Sequence, residues 1–191
     1  MRIAILGGAF DPPHFGHFLV AQQTLDFSKI DEIWLMPCFS HPFDKKMTTG
    51  DKRLEMCKLA LSDFANKRIR VSDFEIRLEK KSFTIDTVLT LKKTFRTDHF
   101  SWLIGSDNLA SFEKWKDWQK LIKEIKFLVF PRIDYPVKKL PKDFFLIESK
   151  KLIYSNLSSE IIRKRIKENL SIKGLVTAGV EEYIIKNKLY R

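Results

Sequence analysis

The chain has 191 residues, of which 44% are hydrophobic and 31% are charged, and this balance excludes an intrinsically disordered protein. The sequence lacks an apolar run that could cross a bilayer, and residues 3–6 are too short for a signal-peptide core, so we expect a cytoplasmic protein. The formal net charge of +11 favours phosphorylated ligands, while no nucleic-acid recognition motif accompanies it.

Apolar runs alternate with segments of helical period along the whole chain. The runs predict strands at residues 2–6, 32–36, 69–72, 100–104, 126–130 and 144–147. Helices are expected at residues 15–26, 52–61, 159–169 and 180–187, and a further one runs from Thr84 to residue 95. Asp51 is the expected N-cap of the helix at 52–61, and Thr84 that of the helix ending at residue 95. The alternation predicts one α/β domain spanning residues 1–191, with a mainly parallel sheet, helices on both faces and a C-terminal helical segment. In such sheets ligands bind beyond the carboxyl ends of the strands.

Residues 7–17, directly after the first predicted strand, read GGAFDPPHFGH. Because a residue before proline avoids the helical region, Asp11 and Pro12 should be extended, and the helix cannot begin before Pro13. His14 and His17 are one turn apart, so both can face a phosphate at the helix start, where an anion would favour the doubly donating imidazolium. The pair could instead cap the helix or bind a metal, although no third ligand has a matching spacing and Cys38 and Cys57 lack zinc-site spacing.

This stretch resembles the GGxFDPxHxGH signature of the nucleotidyltransferase superfamily, and the whole chain resembles the bacterial nicotinate-nucleotide adenylyltransferases. The resemblance implies a Rossmann-like fold and adenylyl transfer from ATP to nicotinate mononucleotide in NAD biosynthesis, with Mg²⁺ carried by the ATP phosphates and no metal site on the protein. It implies that His17, His14 and Arg163 are catalytic. It also implies an ATP site made of Gly7, Gly8, Ala9, Phe10, His14, His17, Gly105, Ser158 and Arg163.

Residues 157–163 read LSSEIIR and open a predicted helix. Ser158 or Ser159 suits the N-cap, and Arg163 lies one turn inside, where a guanidinium can bind phosphate oxygens. The segment is similar to the ISSTxIR motif of the family, which holds the triphosphate of ATP. Glu160 replaces the threonine of that motif, and we expect its carboxylate to turn outward or to act through the metal.

The acceptor side is expected after the fourth strand, where residues 104–109 read IGSDNL and resemble the IGxDxL…W element of the family. The resemblance implies that Asp107 orients the acceptor and that Trp115 stacks on its pyridine ring, whereas Trp118 is interpreted as a core or cap residue. Residues 82–84 read SFT where the family has SYT, before a helix whose first amides receive the nicotinate carboxylate. The expected acceptor-binding residues are Phe83, Thr84, Asp107, Trp115, Arg132, His41 and Lys45, the last two from a loop that departs from the family pattern.

Other functions stay open at this stage. The acceptor could be nicotinamide mononucleotide or phosphopantetheine, although the chain length and the Trp115 element argue against the latter. The altered motif at Glu160 would also suit a catalytically silent nucleotide-binding regulator, and the positive charge a nucleic-acid-binding protein. The sequence does not specify an oligomeric state.

Overall fold

The computed structural model describes residues 1–40 and 47–191. The first half contains β1 (Arg2–Gly8), α1 (Phe15–Phe27), β2 (Glu32–Pro37), α2 (Gly50–Phe64), β3 (Ile69–Val71), α3 (Phe74–Arg77) and α4 (Thr84–Thr94). The second half contains β4 (His99–Gly105), a 3₁₀ helix (Ser106–Lys114), α5 (Trp118–Glu124), β5 (Lys126–Phe130), β6 (Phe144–Leu146), α6 (Ser159–Lys167) and α7 (Ala178–Lys186). None of the helices in these ranges is long and apolar enough to cross a membrane.

The strands form one sheet in the order β3-β2-β1-β4-β5-β6, and all five neighbouring pairs are parallel. The predicted parallel α/β fold is therefore confirmed. β1 lies between β2 and β4, where the strand order reverses, and in doubly wound sheets this is the place where ligands bind. The two glycines at the end of β1 pair with Met36 and Pro37 of β2, so they lie at this edge of the sheet.

The core has two layers, one on each face of the sheet. Successive strand residues point to opposite faces, and accordingly Ala4 belongs to one buried cluster and Ile5 to the other. The first cluster includes residues of α1, α2, α6 and α7, and the second includes residues of α4 and α5. The expected helices on both faces are thus present.

The structure corrects two predicted helix caps. α2 begins earlier than predicted, so that Thr49 is its N-cap and Asp51 lies in the first turn. α4 has Phe83 as its N-cap and Thr84 as its first residue, because Asp86 reaches back to the backbone N–H of Phe83 at 3.4 Å. Other bounds differ by a few residues, and α1 begins after Pro13 as expected. The helices α3, α5 and Ser106–Lys114 were not predicted. α3 and α5 have four and seven residues, too few to show a helical period. Ser106–Lys114 is a 3₁₀ helix, whose repeat of three residues per turn differs from the period sought.

Candidate active site

A cavity of about 320 Å³ opens at the carboxyl ends of β1 and β4. It is lined by the glycine end of β1, the start of α4, and residues that follow β4 and β5. Nine residues predicted from the sequence line it: Gly7, Gly8, Ala9, His17, Phe83, Thr84, Gly105, Trp115 and Arg132. A larger recess of about 850 Å³ lies between α2 and α3, but none of the predicted residues within the described ranges lines it. The smaller cavity is therefore the candidate site.

Two glycines in the cavity wall sit where a side chain would not fit. A Cβ atom on Gly7 would lie 2.6 Å from the indole ring of Trp102. A Cβ atom on Gly105 would collide with the carboxylate of Asp107 and lie 2.8 Å from Nε of Arg132. The absence of side chains at these two positions keeps the backbone open to a ligand and leaves room for the Asp107–Arg132 pair.

The two histidines are held in a fixed mutual arrangement at the start of α1. His14 is the extended N-cap residue, and its backbone N–H donates to Nδ1 of His17 at 3.2 Å. The imidazole rings lie 3.7 Å apart between centroids. Because Nδ1 of His17 accepts a hydrogen bond, the proton of its neutral ring must be on Nε2. His17 is therefore oriented as a single donor, and the doubly donating form expected from the sequence would require this capping bond to break.

Both imidazoles favour the neutral form. Burial, followed by repulsion from His14 and Arg132, holds the pKa of His17 well below its usual value. Burial and Arg132 lower the pKa of His14 to about 3. Nδ1 of His14 is itself buried and has no hydrogen-bond partner in the part of the chain that the structure describes. The positive charge that would attract phosphates at this site therefore comes from arginines and from the helix start rather than from the histidines.

The segment that opens α6 packs against the loop before His14. Nη1 of Arg163 donates to the carbonyl of Asp11 at 2.6 Å, and the hydroxyl of Ser159 donates to the carbonyl of Pro12 at 2.8 Å. The hydroxyl of Ser158 accepts from the N–H of Ile161 at 3.2 Å, as an N-cap does. The structure therefore brings together the two motifs from opposite ends of the chain. Arg163 does not itself line the cavity, and part of its guanidinium is already used by the loop.

Glu160, which replaces a threonine of the family motif, is exposed in the first turn of α6. This is the outward orientation expected from the sequence. Phe10 does not lie where its predicted role in ATP binding would place it, because the residue is 1% exposed and does not line the cavity. Its ring lies 4.7 Å from that of His17.

Sequence reasoning missed the interactions that hold the loop in place. The carboxylate of Asp11, 4% exposed, accepts from the hydroxyl of Tyr190 at 2.6 Å and from the N–H of Thr48 at 3.1 Å. Arg53 is fully buried, and its guanidinium donates to four backbone carbonyls, among them that of Ala9 at 2.8 Å and that of Thr48 at 2.8 Å. For Tyr190, the only signal in the sequence was the resemblance of the whole chain, including its C-terminal residues, to the family. For Arg53 there was none, because nothing distinguished it from a surface residue of α2.

On the acceptor side, Nε of Arg132 lies 3.0 Å from Oδ1 of Asp107, and each side chain is about one third exposed, 37% and 35% respectively. The ring of Trp115 lies 5.3 Å from that of Phe112 and lines the cavity. Trp118 packs on the other side of Phe112 at 6.4 Å and does not line the cavity, in agreement with its interpretation as a core residue. His41 and Lys45 fall outside the described residues.

The profile of the cytidylyltransferase-like family matches residues 5–165 of this chain. The chain belongs to this family. The probable nicotinate-nucleotide adenylyltransferase of Shouchella clausii is 37% identical over 191 residues, which are 99% of this chain and 96% of the relative. That of Methylacidiphilum infernorum is 38% identical over an alignment of 192 residues that covers 99% of this chain and 92% of the relative. The resemblance seen in the sequence is confirmed.

The fold of this family member is also shared by solved structures. The nicotinic acid mononucleotide adenylyltransferase of Plasmodium falciparum, complexed with NaAD, is 28% identical and superposes with a TM-score of 0.85 over 99% of this chain and 97% of that one. The same enzyme complexed with APC is 26% identical, with a TM-score of 0.81 over 99% and 96% of the two chains. The likeness covers the full sheet and both helical layers.

The groups expected from the sequence to meet phosphates are mainly nitrogen donors. His17, Arg163 and the start of α6 present N–H donors, which suit phosphate oxygens, whereas Mg²⁺ prefers oxygen ligands. The nearby carboxylate of Asp11 is occupied by Tyr190 and Thr48. Residues 1–40 and 47–191 contain no group of three or more His, Cys, Asp or Glu side chains placed to hold a metal. These residues fit an ion that arrives with the phosphates.

Proposed function

We propose that the chain transfers the adenylyl group of ATP to nicotinate mononucleotide, giving nicotinate adenine dinucleotide and pyrophosphate. The observation that carries this proposal is that one cavity joins His17 and the glycine end of β1 to the start of α4 and the ring of Trp115. His17 and the glycine end of β1 suit a phosphate chain. The start of α4 and the ring of Trp115 suit an aromatic acid. In this arrangement the cavity holds the α-phosphate of ATP near His17 and the pyridine ring of the acceptor near Trp115.

The chemical step needs no protein nucleophile and no general base. A 5′-phosphate oxygen of the acceptor is already ionised at neutral pH and attacks the α-phosphorus in line. The new bond joins that oxygen to the α-phosphorus, and the bond from the α-phosphorus to the bridging oxygen breaks, so pyrophosphate leaves with its electron pair. His17, as a single donor from Nε2, stabilises the charge that builds on the α-phosphate oxygens. Catalysis then consists of positioning and charge stabilisation.

The β- and γ-phosphates are proposed to bind to His14, Ser158, Arg163 and the first amides of α6. Because the hydroxyl of Ser158 already caps the helix, its backbone is the more suitable contact, while Arg163 still has N–H groups beyond the one given to Asp11. When bound, Mg²⁺ supplies charge neutralisation on the phosphates and is held mainly by phosphate oxygens and water. Pyrophosphate would leave from this side of the cavity.

The start of α4 is proposed to bind the nicotinate carboxylate. The N–H groups of Asp86 and Thr87 donate to the carbonyl of Phe83, and the N–H of Phe83 is taken by the carboxylate of Asp86. The N–H groups of Thr84 and Ile85 have no partner within residues 1–40 and 47–191. Two such donors at the positive end of a helix suit a carboxylate better than a carboxamide.

The experiment that tests the proposal is a pyrophosphate-release assay with ATP and Mg²⁺, comparing nicotinate and nicotinamide mononucleotides, with mass detection of the dinucleotide. We expect no turnover with either acceptor when ATP is omitted. With ATP present, we expect kcat/KM to be higher for nicotinate mononucleotide than for nicotinamide mononucleotide. A preference for nicotinamide mononucleotide would overturn the acceptor assignment. Release with neither acceptor would overturn the enzyme assignment and favour a regulator.

A further inference from the structure

Glu75 is a buried acid in the wall of the candidate site that the adenylyl-transfer chemistry does not use. It lies on α3, is 6% exposed, and lines the cavity together with Ser82, Phe83 and Thr84. Its Oε1 accepts the hydroxyl of Thr87, in the first turns of α4, at 2.5 Å. The carboxyl group is therefore fixed against the same helix start to which the acceptor carboxylate is assigned.

The groups that face Glu75 are neutral or already engaged. Thr87 and Ser82 present hydroxyls, and Cys38, after β2, presents a thiol whose pKa is raised by burial. The guanidinium of Arg53, from α2, attracts the carboxylate of Glu75, but its N–H groups donate to backbone carbonyls. None of the ion pairs among the described residues includes Glu75.

An ionised carboxylate is therefore costly at this position. Burial raises the pKa of Glu75 to about 7, against the opposing effects of the two hydroxyls and of Arg53. Near neutral pH the side chain divides between the neutral acid and the anion.

The consequence depends on the charge of the acceptor. Two ionised carboxylates in one cavity, one of them buried, repel each other, and a neutral acid beside a carboxylate removes that repulsion and can donate its O–H. We propose that Glu75 is a specificity-determining residue, which as the neutral acid admits a carboxylate-bearing acceptor beside the start of α4 and as the anion opposes it. A carboxamide acceptor carries no charge there and is affected far less. The proposal rests on the proposed function.

The test is the ratio of kcat/KM for nicotinate mononucleotide to that for nicotinamide mononucleotide, measured from pH 5.5 to 9. The ratio cancels the titration of ATP and of the 5′-phosphate, which both acceptors share. Where nicotinamide mononucleotide is not turned over, its inhibition constant against the nicotinate substrate replaces its kcat/KM. We expect the ratio to fall by about tenfold or more as Glu75 ionises, since a coupling of one pKa unit corresponds to a factor of ten.

In Glu75→Gln the side chain stays neutral at every pH, so the ratio should become flat. Glu79→Gln, an exposed acid of the same segment outside this cavity, is the matched control and should keep the fall. A wild-type ratio that does not change with pH would overturn the proposal, even if Glu75→Gln fails to fold. A fall that persists in folded Glu75→Gln would also overturn it. Absence of activity with both acceptors would instead refute the proposed function.

Discussion

Nδ1 of His17 accepts a hydrogen bond from His14, so Nε2 is the ring nitrogen that can donate to a ligand. Two substitutions of His17 test this donor. His17→Ala removes the Nε2–H donor, whereas His17→Gln retains an amide N–H at about the same distance along the side chain. Loss of a single donor aimed at a developing oxyanion typically lowers kcat by about 10²–10³, or roughly 2.7–4 kcal/mol. We therefore expect His17→Ala to lose at least two orders of magnitude in kcat, and His17→Gln to recover part of that loss.

Stability has to be measured in the same variants, because the ring also accepts the N–H of His14 and packs 3.7 Å from its imidazole. Leaving that donor unpaired costs about 1–3 kcal/mol, which a domain with a typical stability of roughly 5–15 kcal/mol survives. Pyrophosphate release at saturating substrates, together with urea unfolding of each variant, separates the two effects. A folded His17→Ala protein with kcat within tenfold of wild type would refute the assigned role.

Three further perturbations test the surroundings of the site. Tyr190→Phe removes the hydroxyl that holds Asp11, so kcat should fall several-fold and the free energy of unfolding should fall by about 1–3 kcal/mol, while Tyr183→Phe, as the control, leaves steady-state kinetics unchanged. Arg53→Met leaves four backbone carbonyls without their donor and should lower the free energy of unfolding in urea by several kcal/mol, at about 1–3 kcal/mol for each carbonyl left unpaired. The pKa of Glu75 is raised on folding, from 4.5 to about 7, so the folded state binds more protons than the unfolded state in this range. The free energy of unfolding of wild type, measured relative to that of Glu75→Gln, should therefore fall by on the order of 3 kcal/mol between about pH 4.5 and 7. A difference that stays constant with pH would contradict the raised pKa.

The sheet was predictable from the sequence because β1, β2 and β5 each contain a run of four apolar residues, as expected for strands buried on both faces. β5 was predicted with its observed bounds. The caps were less predictable, since the choice between Thr84 and Phe83 depends on the backward hydrogen bond of Asp86. A residue three positions away can shift a helix start by one residue.

Within the site, the residues marked by a family motif were predictable, and contacts made by residues outside the motifs were not. The glycines and His17 lie in one stretch of eleven residues, so the motif contains their geometry. The hydrogen bond from Tyr190 to Asp11 joins residues 179 positions apart, and no local pattern predicts such a contact. Glu75 had the appearance of an ordinary charged residue because the four residues of α3 are too few to reveal which face is buried.

The loop after β1 has its carbonyl groups bound by side chains from distant segments, and these contacts hold its backbone in place. Arg53 donates to the carbonyl of Ala9, and Arg163 and Ser159 donate to those of Asp11 and Pro12. In a trans peptide the N–H points opposite to the C=O, so the N–H of Phe10 points away from Arg53. Phe10 also has a φ of 50°, a conformation that non-glycine residues rarely adopt and that is often found at functional sites. The buried ring of Phe10, together with these hydrogen bonds, therefore anchors the loop.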